Sequence, residues 1–202
     1  MKMLTFVLLC AAAVNLAATE NLLKNGEFNT QRLGGEIYFA NAMGSMKIAN
    51  ITEEGTTNKC MKLEITSILE KNGRSQLSTE VVFGKSNGQN GIPAEPDTEY
   101  EIAFDLKSAH QISLWVSLDS KQPAKTYFSE KRIRPVPRVV KGVEGKWTTC
   151  KAVFKTNTDT RFIRVHLLLW GDSKQQSVFP FKVGDVLLID NAKICKTTAA
   201  SK

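Results

Sequence analysis

The segment FIRVHLLLWGD, residues 162–172, alternates so regularly that it constrains the fold more than any other stretch of the chain. Ile163, Val165, Leu167 and Leu169 form one aliphatic set, while Phe162, Arg164, His166, Leu168 and Trp170 form the other. A period of two puts such sets on opposite faces of a β-strand, one turned to a core and one away from it. The same period recurs along the chain and marks strands at 21–28, 36–42, 46–51, 60–68, 74–83, 99–107, 111–119, 147–155, 161–170 and 186–196. Turn-forming runs such as NGEF, EEGTTN, GKSNGQNGIPAEPD and NTDT separate them. No long amphipathic helix pattern follows residue 20. Many short strands without helices between them predict an all-β chain, an antiparallel β-sandwich of jelly-roll type built from two sheets.

With 42% hydrophobic and 23% charged residues in a chain of 202, the balance is globular, and enough for one domain with its own core. The start, MKMLTFVLLCAAAVNLAATE, has a basic Lys2, an apolar stretch and then small residues, the layout of a secretory signal peptide cut near Ala17 or Ala18. Residues 1–18 are therefore read as that signal, 19–196 as a single domain and 197–202 as a loose tail. The expected location is secreted or extracytoplasmic. No stretch after the signal is long and apolar enough for a membrane span. Losing Lys2 takes the formal charge from +7 to +6, so the exported chain stays basic. That favours acidic partners such as anionic glycans or membrane surfaces, while aromatic-flanked basic motifs for nucleic acid are missing.

Cys60, Cys150 and Cys195 remain after export, at separations that match no zinc spacing. An oxidising compartment allows one disulfide and one free thiol. Parity places Cys60 with Lys62 and Glu64, and Cys195 with Lys193, on outward faces, whereas Cys150 keeps company with Ala152 and Phe154. The expected bridge is Cys60–Cys195, with three unpaired thiols as the alternative.

Parity also sorts the non-core faces. In QISLWVSLD, Ile112, Leu114, Val116 and Leu118 turn inward, which leaves Gln111, Ser113, Trp115, Ser117 and Asp119 outside. Arg164, His166 and Trp170 join that side, as do Arg74, Gln76, Ser78 and Glu80 from NGRSQLSTEV and Tyr38 from EIYFA. Planar polar groups mixed with aromatics suit sugar rings, whose C–H faces stack on indoles and whose hydroxyls exchange hydrogen bonds with amides and guanidinium groups. Trp115 and Trp170 are the expected stacking platforms, and Arg74, Gln76, Arg164, His166 and Tyr38 the expected polar contacts. Plainer readings stand beside these. Either Trp can sit beneath a loop, His166 can be a hydrogen-bonded structural residue, and Arg164 can pair with Glu80 or Asp119. Trp147, at the start of a strand, reads as structural.

The stretch EKRIRPVPRVVKGVEGK, residues 130–146, holds two prolines and six basic residues. It reads either as a solvated extended connection or as a basic rim beside a binding face.

Three segments resemble a known group. NLLKNGEF is similar to the opening strand N-L-x-x-N-G-x-F of many carbohydrate-binding modules. PDTEYEIAFDLKS resembles their central strand. GKWTTCKAVFKTNTDTRFIRVHLLLWGD, followed by VLLIDNAKI, resembles their closing half. The group is the galactose-binding-like β-sandwich that includes carbohydrate-binding families four, nine and twenty-two. The resemblance implies a convex and a concave sheet, with sugars bound across the concave one or in a loop pocket at one end. It also implies a structural calcium near the first and last strands, here involving Glu27 and Asp190. Calcium takes six to eight oxygen ligands, so those two carboxylates would need help from backbone carbonyls. Asn191 stands where the group often has a second acid.

Three functions follow as expectations. The first is a secreted, non-catalytic binder of oligo- or polysaccharide. The second is a structural or adhesive sandwich that meets another protein through the same face. The third is a jelly-roll polysaccharide lyase using Tyr38, His166, Arg164 and Gln76, although no paired-carboxylate motif for glycoside hydrolysis stands out.

Overall fold

The computed structural model describes residues 20–23, 26–28, 37–84, 91–121 and 131–197. Residues 1–18, where a signal peptide is expected, and residues 198–202 lie outside them. Among the described residues thirteen strands follow one another: β1 (Ile37–Met43), β2 (Ser45–Thr52), β3 (Lys59–Ser67), β4 (Leu69–Lys71), β5 (Arg74–Phe83), β6 (Ile92–Pro93), β7 (Glu99–Lys107), β8 (Gln111–Asp119), β9 (Lys131–Ile133), β10 (Val139–Lys141), β11 (Thr148–Lys155), β12 (Phe162–Asp172) and β13 (Val186–Lys196). They form two antiparallel sheets. The larger runs β1-β5-β12-β8-β10, with β4 on β5, β6 on β12 and β9 on β8, and the smaller runs β11-β7-β13-β3-β2. The chain is an all-β jelly-roll sandwich.

The alternation read from the sequence builds the interior. Leu77 and Val81 of β5, Ile112, Leu114 and Val116 of β8, and Ile163, Val165 and Leu167 of β12 are all buried. They meet Met61, Leu63 and Ile65 of β3, Ile102, Phe104 and Leu106 of β7, and Leu187 and Ile189 of β13. Each fully buried aliphatic side chain contributes about 1.5–3 kcal/mol, so this interface dominates the folding energy. Tyr100 and Phe154 stack with ring centroids 5.6 Å apart across the β7–β11 pair.

One irregularity resets the alternation. Leu187 and Ile189 point inward at odd positions, but Ala192 and Ile194 do so at even ones. The register of β13 against β7 shifts between Asp190 and Lys193, and Asn191 sits at φ 49°. An extra residue there re-aims the strand, and Asn tolerates the left-handed conformation better than most side chains.

The described residues of the expected strand at 21–28, namely 21–23 and 26–28, are not in a strand. They instead lie along β13, with Leu22 N donating to Ile194 O at 2.9 Å and Ala192 N donating to Gly26 O at 2.8 Å. Two further expectations are corrected. Thr197 does not begin a loose tail, because its N–H donates to Glu99 O at 3.0 Å. The three cysteines carry free thiols, and no Cys60–Cys195 bridge forms. Met61 pairs with Ile189, so Cys60 lies level with Asp190, and Cys195 is five residues further along β13, well beyond disulfide reach. Cys60 is also fully buried despite its outward parity. Burial, then the nearby Asp190 and Glu53 charges, push its thiol up to about 11.

Candidate functional site

The outer face of the larger sheet gathers the residues picked out by parity. β12 lies between β5 and β8, and the registers fix who stands beside whom. His166 is flanked by Val82 and Trp115, Leu168 by Glu80 and Ser113, and Arg164 pairs with Ser117. Further along β12, Trp170 pairs with Ser78 and Asp172 with Gln76. Trp115 and Trp170 therefore stand on one face of one sheet, about 13 Å apart along the strand direction at four residues' rise. An oligosaccharide, rather than a single ring, would be needed to reach both.

Each residue has its own depth. Trp170 is 37% exposed, an open indole at the surface. Trp115 is half-buried, and its ring carries two guanidinium groups, Arg134 Cζ at 4.9 Å and Arg138 Cζ at 5.5 Å from the centroid. Arg164 and His166 are buried at 2% and 1% exposure, below the level a ligand on this face would touch. Their plainer readings describe them. Arg164 Nη2 lies 3.2 Å from Asp119 Oδ2, both side chains sealed from solvent.

His166 is the centre of a polar chain. Its Nδ1 is 3.1 Å from Glu80 Oε2 and its Nε2 is 2.7 Å from Ser117 Oγ. Burial lowers the imidazole's affinity for a proton, and this outweighs the hydrogen bond and charge of Glu80. Burial raises the Glu80 carboxyl, but the His166 hydrogen bond and the His166, Arg132 and Arg164 charges hold it below its ordinary value. A neutral ring facing a carboxylate must donate from Nδ1, so Nε2 accepts the Ser117 hydroxyl proton. The order serine, histidine, carboxylate resembles a nucleophile with its base and orienter. Ser117 is 0% exposed, however, and the chain serves as a brace across β8, β12 and β5.

A second group lies at the far end of β5 and β12. Arg74 makes a bidentate ion pair with Asp172 through Nε and Nη2, and Gln76 sits beside it. Asp172 Oδ1 also accepts from Lys174 N at 3.0 Å, and its own N–H donates to Gln176 Oε1 at 3.0 Å, which ties down the turn after β12. Arg74, then the Lys174 amide, bring the Asp172 carboxyl down to about 2 against the pull of burial. A pocket of about 660 Å³ opens here, lined by Lys71, Arg74, Gln76, Ser173 and Lys174.

The expected contacts thus form two groups, Trp115 with Arg164 and His166, and Trp170 with Arg74 and Gln76. Tyr38 pairs with Val82 through its backbone in β1, and its side chain lies outside the described residues. The lyase set is not brought together, since Gln76 is six residues from Val82, His166's neighbour, roughly 20 Å along β5. Trp147 lies apart, before β11 of the smaller sheet, where its Nε1 donates to Glu53 Oε2 at 3.2 Å.

The calcium expectation joins Glu27 and Asp190, and the described residues give Asp190 hydrogen-bond partners of its own. Asp190 Oδ2 accepts from Asn58 Nδ2 at 3.0 Å and Oδ1 from the Asn191 amide at 2.7 Å, so N–H donors point where a cation needs oxygens. Burial pushes its carboxyl up, and the Asp105 and Glu27 charges add repulsion. Among the described residues no three acidic, histidine or cysteine side chains converge on one point.

The arginines over Trp115 are the part of the face that parity missed. The spacing R-P-V-P-R within the basic stretch was the available signal, because two prolines stiffen a short arch between two like charges.

No protein-family model matches this chain, and no curated protein matches it in sequence. Solved structures do match in fold. The bacteriophage CBA120 tailspike protein 4 enzymatically active domain aligns with a TM-score of 0.54 at 10% identity, over 88% of this chain and 21% of that one. The CBM22-1–CBM22-2 tandem domain of Paenibacillus barcinonensis Xyn10C aligns at 0.53 and 13% identity, over 88% of this chain and 50% of that one. TmCBM61 in complex with β-1,4-galactotriose aligns at 0.49 and 15% identity, over 89% and 100%. The chain spans about a fifth of the tailspike chain and half of the tandem. At these identities the likeness is one of fold, the β-sandwich.

Proposed function

We propose that this chain is a secreted, non-catalytic glycan-binding protein that holds its ligand on the outer face of the larger sheet. The observation that carries the reading is the placement of Trp170 and Trp115 on one face of adjacent strands, with Leu168 and Ser113 between them and the Arg74–Gln76 group beside Trp170. Trp170 offers an open ring for stacking, and the Arg74, Gln76 and Lys174 pocket next to it offers hydrogen bonds. Rigid strands hold these groups, which lowers the entropy lost on binding. The sandwich fold shared with a tandem of CBM22 modules gives further support. The net positive charge favours an acidic partner.

A glycan array with the wild type, Trp170→Ala and Trp115→Ala tests this. The expected result is selective binding that weakens two- to tenfold in Trp170→Ala, the worth of one aromatic contact. Absence of any glycan binding, or two variants that bind as the wild type does, contradicts it.

A second reading has one observation in its favour. An exposed Trp and an Arg-stacked Trp on one face also fit the hot spot of a protein interface. Oligomers or a protein complex lost in Trp170→Ala, without glycan binding, would favour that adhesive role.

A further inference from the structure

We propose that Arg134 and Arg138, held on the indole of Trp115, form a subsite for the carboxylate or sulfate group of an acidic glycan. Trp170 then stacks on a ring at the other end of the same face. This rests on the glycan-binding reading and names the ligand class for one end of the site.

The backbone fixes the pair. β9 pairs with one end of β8, Ile133 opposite Val116, and β10 pairs with the other, Val140 opposite Ile112. The five residues between them arch away from β8. Val136 N donates to Val153 O and Val153 N to Val136 O, both at 2.8 Å, which pins the top of the arch to β11 of the smaller sheet. Leu114 N donates to Arg138 O at 2.7 Å and pins its foot. Pro135 is buried, and the two prolines limit the backbone further. Two arginines at the arch's ends are thereby brought onto one ring, and their charges are no further apart than the sum of their distances to its centre.

Like charges brought together need a reason. A guanidinium stacked on an indole uses its flat face, and the N–H donors along its edge stay available. Among the described residues neither Arg134 nor Arg138 donates a hydrogen bond or meets a carboxylate. Both are exposed. Arg132, opposite Ser117 and exposed, adds positive charge on this face. The nearby carboxylates are engaged, Asp119 with Arg164 and Glu80 with His166. Planar, preorganised forks suit carboxylate and sulfate oxygens, which accept two parallel N–H bonds. Trp115 is then the support for this anion clamp instead of a bare stacking platform.

Affinity electrophoresis of the exported chain tests the clamp, using polygalacturonate, chondroitin sulfate, uncharged xylan and galactan, and a single-stranded DNA as probes, at low and moderate salt. The proteins are the wild type, R134Q/R138Q, R134K/R138K and W170A, with circular dichroism to confirm folding. The clamp requires retardation by an acidic glycan, at least tenfold weaker in R134Q/R138Q, only partly restored in R134K/R138K, and reduced by salt. Preference between polygalacturonate and chondroitin sulfate distinguishes carboxylate from sulfate. Binding of uncharged glycans alone, unchanged in R134Q/R138Q and weakened in W170A, overturns the clamp and leaves the glycan-binding reading standing. No binding to any glycan overturns both. DNA bound as tightly as the glycan, with the same arginine dependence, also overturns the clamp, because it marks a general anion patch.

Discussion

His166, buried, donates across 3.1 Å to Glu80, half-buried, so the outer face of the larger sheet is braced by a titratable pair. His166 is held below its ordinary 6.5 by burial, and Glu80 below 4.5 by the His166 hydrogen bond and nearby charges against the pull of burial. In both cases the folded chain binds protons less readily than the unfolded chain. Their contribution is therefore present above the ordinary values and lost as pH falls through them. Chemical denaturation should show stability level above pH 6.5, declining below it as His166 protonates in the unfolded chain. Further loss should follow below 4.5 from Glu80 and below 3.8 from Asp172. His166→Gln should remove the first decline. Stability rising between pH 7 and 5 would contradict the assignment.

Gly26 lies where no side chain fits. A Cβ there would come 1.8 Å from the Ala192 carbonyl oxygen, at the β13 bulge that the N-terminal segment covers. Gly26→Ala should cost about 1–3 kcal/mol, the usual range for overpacking. Thermal unfolding of the variant should show a clear fall in Tm, and an unchanged Tm would mean that the segment does not dock on β13.

The thiols should separate by depth. Cys195 is half-buried, whereas Cys60 and Cys150 are buried and burial raises both of their thiols. In the chain lacking residues 1–18, a thiol reagent at neutral pH should modify Cys195 first and reach all three only in denaturant. Two missing thiols in denaturant would indicate a bridge and contradict the fold as described.

Calcium should leave stability unchanged. Asp190 already receives two N–H donors, so Tm in excess calcium and in chelator should agree within about 1 °C, since a ligand stabilises only by binding the folded state. A chelator-dependent fall of several degrees would place a cation site here after all.

The core was legible in the sequence because burial on one face imposes a period of two, as in Ile163, Val165, Leu167 and Leu169. So was the outward parity of Trp115 and Trp170, whereas the pairing of β8 with β12 that puts them on one sheet face came from the fold. Depth was not legible. Arg164 and His166 share that parity, yet they sit below the surface, Arg164 in an ion pair with Asp119 and His166 bonded to Glu80 and Ser117. Cys60 is likewise buried against its parity. The arch over Trp115 was hidden because β9 and β10 have three residues each, too few to show a period, and their pairing with β8 is set by tertiary contacts.

The three indole N–H signals in a proton–nitrogen correlation spectrum report directly on which tryptophans meet the ligand. Titration with the glycan that binds best should shift the Trp170 and Trp115 signals and leave Trp147, bonded to Glu53 on the other sheet, in place. Shifts confined to Trp147, or no indole shift at saturating glycan, would contradict the account.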